Sequence, residues 1–153
     1  MSKMISLFLA AVMLTLLVSC TESPKEEKRM EQPLFGTILA DNGFFSAKEK
    51  MNAEDLTGLR FYVENSTDVI IEDVAESLNI WELLEKVTAG NAVDEPQIND
   101  GLIAFDFIFN DGSDYTISFL TSEYVYGDSS VYEINNPGSV RAAMEAARNA
   151  GEE

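Results

Sequence analysis

Residues 102–120 read LIAFDFIFNDGSDYTISFL, and this stretch decides the predicted fold. Apolar and aromatic side chains alternate with others on both sides of a short polar segment, which is the pattern of two half-buried β-strands joined by a turn. Asn110, Asp111 and Gly112 are the residue types that tight turns require. The sequence therefore predicts an antiparallel hairpin here.

The register of this hairpin follows from burial. A two-residue turn would place the two aromatic sets on opposite faces of the sheet. A three-residue turn instead sets Phe107 opposite Tyr115 and Phe105 opposite Ile117. A slip of one residue moves every side chain to the other face, so the second register is expected. It requires a type I turn followed by Gly112 in a bulge, with a positive φ angle.

Working outward, shorter patterns predict the remaining elements. Residues 34–40, 44–45, 58–64, 69–71, 124–126 and 131–134 have strand patterns, and the segment Asp41-Asn42-Gly43 has the composition of a turn. Asn79 and Glu82 have the spacing of an N-cap pair that opens a helix over 80–89, which Gly90 would stop. Ser46 and Glu49 resemble a capping box, and Ser139 would cap a terminal helix.

These elements predict an α+β fold. We expect an antiparallel sheet of about five to seven strands, with one central and one C-terminal helix packed on the Phe105/Phe107 face. Residues 34–153 would form a single α+β domain. Residues 20–33 are mostly polar and of mixed charge, so a disordered tether is predicted there. Trp81, the only tryptophan, is predicted to lie in the core.

Composition excludes several kinds of chemistry. The chain has no histidine and one cysteine, so the usual zinc, copper and haem ligands and histidine-based catalysis are excluded, and we expect no cofactor. Ten basic residues stand against 27 acidic ones, which gives a formal charge of −17. Repulsion from phosphate argues against a nucleic-acid partner.

The N-terminus has the pattern of an export signal. Lys3 precedes an uncharged, mostly apolar run over 4–18, which is shorter than the ~20 residues that span a bilayer. The run ends in Leu17-Val18-Ser19-Cys20, which resembles the lipobox of bacterial lipoproteins. That resemblance implies a signal peptide over 1–19 and lipidation of Cys20. It also implies an extracytoplasmic protein, lipid-anchored to the bacterial cell membrane or outer membrane.

No motif in the chain indicates catalysis. The sequence lacks the nucleophile elbow GxSxG, the P-loop, GxGxxG and CxxC. Asp94, Glu95 and Asp100 could gather a calcium ion. The expected function is therefore a lipid-anchored binding or interaction module without catalysis, for an envelope protein or polymer. The alternatives are a small surface enzyme that uses carboxylates, or a calcium-dependent adhesive or envelope-structural domain.

The sheet face away from the helices is expected to be either a solvated face, as is common for antiparallel sheets, or a flat recognition surface for a partner. By alternation it carries Arg60, Tyr62, Leu102, Ala104, Asp106, Ile108, Thr116, Ser118 and Leu120. A contiguous apolar patch on such a face marks a contact surface, and Asp106 could orient a polar group of a ligand. The candidate binding residues are Tyr62, Leu102, Asp106, Ile108 and Leu120.

Overall fold

A computed structural model describes residues 30–39, 42–98, 101–127 and 129–151. Within them lie eight strands and three helices, numbered here in chain order. They are β1 (Gln32–Pro33), α1 (Asn42–Lys50), β2 (Leu56–Val63), β3 (Val69–Ile71), α2 (Val74–Glu85), β4 (Thr88–Val93), β5 (Ile103–Phe109), β6 (Asp114–Phe119), β7 (Tyr124–Gly127), β8 (Ser130–Ile134) and α3 (Pro137–Ala150). None of these helices is long and apolar enough to cross a bilayer. The predicted signal peptide and Cys20 lie outside the described residues.

The predicted α+β class is confirmed, and all strand pairs within the sheets are antiparallel. The strands form two sheets rather than one. The hairpin sheet has the order β3-β2-β5-β6, and the second sheet has the order β1-β4-β8-β7. Sequence reasoning missed β4, because its residues Thr88–Val93 include a glycine and an asparagine that are typical of loops. β1 also lies within the stretch predicted as tether, where Gln32 pairs with Ala89.

The predicted hairpin register is confirmed. Phe107 pairs with Tyr115, Phe105 with Ile117, and the ladder continues to Ile103 and Phe119. The Phe109 N–H donates to the Ser113 carbonyl at 2.9 Å, and the Gly112 N–H donates to the Phe109 carbonyl at 3.0 Å. Gly112 has a φ of 81°, the left-handed conformation that the bulge requires.

We expect Gly112→Val to lower the free energy of unfolding by about 1–2 kcal/mol, because valine is strained in left-handed backbone. Nothing lies within 4 Å of the position that a Cβ would occupy, so the loss would come from backbone conformation alone. Urea denaturation followed by circular dichroism measures it. Gly138→Val is the matched control, because Gly138 is equally open and does not have a positive φ. An equal loss in both variants would contradict the bulge argument.

An ion pair ties the hairpin tip to α1. The Lys50 ammonium lies 2.5 Å from the Asp111 carboxylate, which also accepts a hydrogen bond from the Ser113 hydroxyl. These donors, Lys50 first, hold the pKa of Asp111 well below its usual range. A lowered carboxyl pKa stabilises the fold at pH values above the unfolded-state pKa, and that contribution is lost as the pH falls through the folded-state value.

The central helix begins six residues earlier than predicted. α2 runs from Val74 to Glu85, and the Asp73 carboxylate caps it by accepting hydrogen bonds from two backbone N–H groups of the first turn. Asn79 therefore lies inside the helix rather than at its start. Trp81 is buried as predicted, with its ring centroid 5.4 Å from that of Phe107. This contact places α2 on the predicted face of the hairpin sheet.

The strand and turn predicted around residues 41–45 are wrong. Asn42–Lys50 forms α1, so Ser46 is an interior helix residue and not a cap. The Phe44 ring stacks on the Phe35 ring at 4.4 Å and lies 5.7 Å from the Trp81 ring. These contacts are distant in sequence, and they stabilise a helix where local turn chemistry indicated a hairpin. Asp41 lies outside the described residues.

The C-terminal helix packs on the central one. α3 begins at Pro137, two residues before the predicted cap Ser139. Its inward face is formed by Val140, Ala143 and Ala147, which are fully buried. α3 contacts α2 and β3, so both predicted helices are present on the same side of the hairpin sheet.

Candidate functional site

The hairpin sheet has one face packed on helices and one face that is largely open. The open face, called here the outer face, carries the side chains that alternate with the buried aromatic residues of β2, β5 and β6. Most of its members are half-buried or exposed: Arg60, Tyr62, Ile70, Ile108, Asp114, Thr116 and Ser118. Ala104 and Asp106, on the central strand β5, are buried by their neighbours.

Three polar residues form a row across the centre of this face. The register places Arg60 of β2 opposite Asp106 of β5, and Asp106 opposite Thr116 of β6. The Thr116 hydroxyl donates to Asp106 Oδ1 at 2.7 Å. The Arg60 guanidinium donates to Asp106 Oδ2 and forms an ion pair with it. Both carboxylate oxygens are therefore bonded, one by each neighbouring strand.

The ion pair has one buried and one accessible partner. The Asp106 side chain is 7% exposed, whereas that of Arg60 is 46% exposed. The hydrogen bond and the charge of Asp106 raise the pKa of Arg60 above its ordinary value. Arg60 is thus held in one position by a buried carboxylate, and about half of its surface still faces solvent. A positioned guanidinium of this kind can donate to a carbonyl or hydroxyl of a partner.

Apolar side chains lie on either side of this row. Ile70 of β3 pairs with Arg60 and is 56% exposed, which is high for an isoleucine. Tyr62 and Ile108 lie in the rows above and below Asp106 and are half-buried. The outer face therefore presents a fixed polar centre between apolar groups.

The structure brings together three of the five predicted site residues. Tyr62, Asp106 and Ile108 are neighbours on β2 and β5. Leu102 and Leu120 are half-buried and lie just beyond the ends of β5 and β6, so they do not pair within the ladder. The Leu120 N–H donates instead to the Tyr124 carbonyl at 3.0 Å.

Sequence reasoning missed Ile70 as a member of the site. The pattern of Val69–Ile71 indicated a strand, but three consecutive β-branched residues give no alternation that assigns a face. The alternation along the strands placed Arg60 and Thr116 on the outer face, but it did not predict that both contact Asp106. The contact between Arg60 and Asp106 depends on the pairing of β2 with β5, and a long connection separates these two strands in the chain.

The alternative sites have less support among the described residues. Asp94 and Glu95 are exposed in the segment after β4, and Asp100 lies outside the described residues. In the described ranges there is no group of three acidic, histidine or cysteine side chains placed to hold a metal ion. Tyr124 and Tyr126 lie on β7, an edge strand of the second sheet, and Tyr126 is exposed.

Comparison of the chain with protein-family models, with curated proteins and with solved structures finds no match.

Proposed function

We propose that this protein is a lipid-anchored binding module of the bacterial cell envelope, which acts without catalysis and recognises an envelope protein through its outer face. The anchor is proposed from the lipobox-like residues Leu17–Cys20. The recognition surface is proposed from the arrangement of Arg60, Asp106 and Thr116 between exposed apolar groups.

The observation that carries the proposal is the buried carboxylate that positions an accessible arginine. Asp106 is bonded on both oxygens and withdrawn from water, so it fixes the Arg60 guanidinium at one place on an otherwise accessible face. Moving Arg60 away would leave the charge of the buried Asp106 unpaired in a low-dielectric site. The ion pair is therefore expected to stay formed. Arginine and tyrosine, with tryptophan, are enriched at the hot spots of protein interfaces, and Arg60 and Tyr62 supply them here.

The same groups favour binding over proton transfer. Arg60 keeps its proton at any physiological pH, and both oxygens of Asp106 are engaged. The network is therefore suited to holding a fixed geometry for binding. The strand residues of the outer face form a flat surface. This surface offers both polar and apolar contacts, as protein interfaces do.

A crosslinking experiment tests this proposal in intact cells. A photoreactive amino acid replaces Ile70 in the full chain, and the matched control carries it at Ile98, which has 50% exposure against 56% for Ile70 and lies outside the hairpin sheet. We expect one protein adduct at position 70 and none at position 98. Adding Tyr62→Lys and Ile108→Lys should abolish the adduct while the melting temperature barely changes.

Three results would contradict the proposal. They are equal labelling at the two positions, no adduct at position 70, and an adduct that survives both lysine substitutions in a folded chain. An adduct with a glycan would assign the face to an envelope polymer instead of a protein. Unfolding by the two lysines would show that the outer face is buried, and the recognition surface would then lie elsewhere.

A further inference from the structure

The edge of the hairpin sheet at β6 has unpaired backbone groups. The Phe109 N–H donates to the Ser113 carbonyl, so Phe107/Tyr115, Phe105/Ile117 and Ile103/Phe119 are the hydrogen-bonded pairs of this ladder. The intervening β6 residues Asp114, Thr116 and Ser118 must point their N–H and C=O groups away from β5. These three residues are called here the free edge.

The free edge is accessible, and Asp114, at the end next to the hairpin turn, is its only charged residue. Asp114, Thr116 and Ser118 are all exposed, and in the described part of the chain their outward backbone groups make no hydrogen bond. Sheet edges are usually guarded by charged side chains, above all lysine, or by proline, a bulge or a very short strand. β6 has six residues, with no lysine, proline or bulge, and its alternating Tyr115, Ile117 and Phe119 favour extended backbone. The other edge strands of the two sheets, β1, β3 and β7, have two to four residues.

We infer that a second copy of this chain pairs antiparallel with β6, along a two-fold axis at Thr116. This register uses all three outward-pointing residues of each copy. Thr116 then faces the partner's Thr116, and Asp114 faces the partner's Ser118. Beyond Ser118 the pairing must stop, because the next outward N–H, that of Leu120, is already bonded to the Tyr124 carbonyl.

The side chains of the free edge fit this register. Each Asp114 carboxylate meets a serine hydroxyl that can donate to it, and not another carboxylate. The two Asp114 residues are four positions apart along the paired strands, about 13 Å at the usual strand rise. That separation exceeds the Debye length of about 8 Å at physiological ionic strength, so their repulsion is screened.

The dimer would extend the proposed recognition surface. Two four-stranded hairpin sheets joined at β6 form one continuous sheet, with the two outer faces on the same side. β3, which carries Ile70, lies at the opposite edge of each sheet, so the crosslink proposed above does not depend on this dimer.

Disulfide trapping in intact cells tests the inference on the full chain. Thr116→Cys should form a disulfide-linked dimer on mild oxidation, because facing residues of a hydrogen-bonded pair have Cα atoms about 5.5 Å apart, within disulfide range. Ser118→Cys is the register control. Its two copies would lie about 13 Å apart, too far to be bridged. The unaltered chain, whose only cysteine is Cys20, reports any dimer that forms through that residue.

A second variant leaves Thr116 and its hydrogen bond to Asp106 intact. The double substitution Asp114→Cys with Ser118→Cys should form a dimer, whereas each single substitution should not. A folded chain that yields no dimer in either design would overturn the inference, as would a disulfide to a different protein at position 116. Equal dimer formation by Thr116→Cys and Ser118→Cys would also overturn it, because it would show random collision in place of a register.

Discussion

Phe107→Ala is expected to lower the free energy of unfolding by about 3–5 kcal/mol, the usual loss for removing a large aromatic ring from a core. Phe107 is fully buried and lies between Leu59 and Tyr115 on the inner face of the hairpin sheet. Its ring meets the Trp81 ring edge to face at 5.4 Å. The substitution would leave a cavity where the central helix packs on the hairpin, and the helix and sheet could fill it only by shifting toward each other.

Urea unfolding followed by far-ultraviolet circular dichroism measures this loss without relying on Trp81 as the probe. Phe45→Ala is the matched control, because Phe45 is 63% exposed on α1. We expect about 0.5 kcal/mol or less for the control, as is usual for surface substitutions. If the two alanine variants lose similar amounts, Phe107 is not at the centre of the core.

The hairpin was predictable because its information is local. Two alternating segments, one turn and the requirement that aromatic residues share a face were sufficient to derive the pairing of Phe105 with Ile117. The positive φ of Gly112 follows from the same turn, since only one loop length satisfies burial. The strands at β7 and β8 were predicted for the same reason, because their residues alternate around a short polar segment.

The errors arise where distant contacts decide between local alternatives. Asp73 and Asn79 have equal cap chemistry, so the local sequence does not choose between them, and in the structure Asp73 is the cap. The segment Asp41-Asn42-Gly43 has a turn composition, yet Asn42–Lys50 forms a helix, in which Phe44 stacks on Phe35 and contacts Trp81. β4 has no hydrophobic pattern of its own, and its backbone is held by pairing with β1 and β8.

The candidate site was also predictable only in part from the sequence. Alternation along β2 and β5 placed Tyr62, Asp106 and Ile108 on one face, and the structure confirms that placement. The ion pair between Arg60 and Asp106 joins residues 46 positions apart in the chain. Only the register of β2 against β5 brings them together, and no periodicity within either strand contains that register.

Cys20→Ala is expected to abolish lipid attachment entirely. The proposed anchor is a thioether on the Cys20 sulfur, and the chain has no other cysteine that could accept it. A single acyl chain gives only marginal membrane binding, whereas two or more hold a protein stably, because each buried CH₂ group contributes about 0.8 kcal/mol. Without the thioether, the protein would therefore remain an unprocessed precursor or be released from the membrane.

Metabolic labelling with a palmitate analogue separates these outcomes better than membrane fractionation does, because an unprocessed precursor would keep the apolar run over 4–18 and could remain with the membrane. We expect label on the unaltered chain and none on Cys20→Ala. Thr21→Ala is the control, since it changes the neighbouring residue and leaves the thiol in place, and it should keep the label. A Cys20→Ala chain that is still labelled and cleaved would show that residues 17–20 are not a lipobox, and the proposed anchor would fail even if the outer face binds its partner.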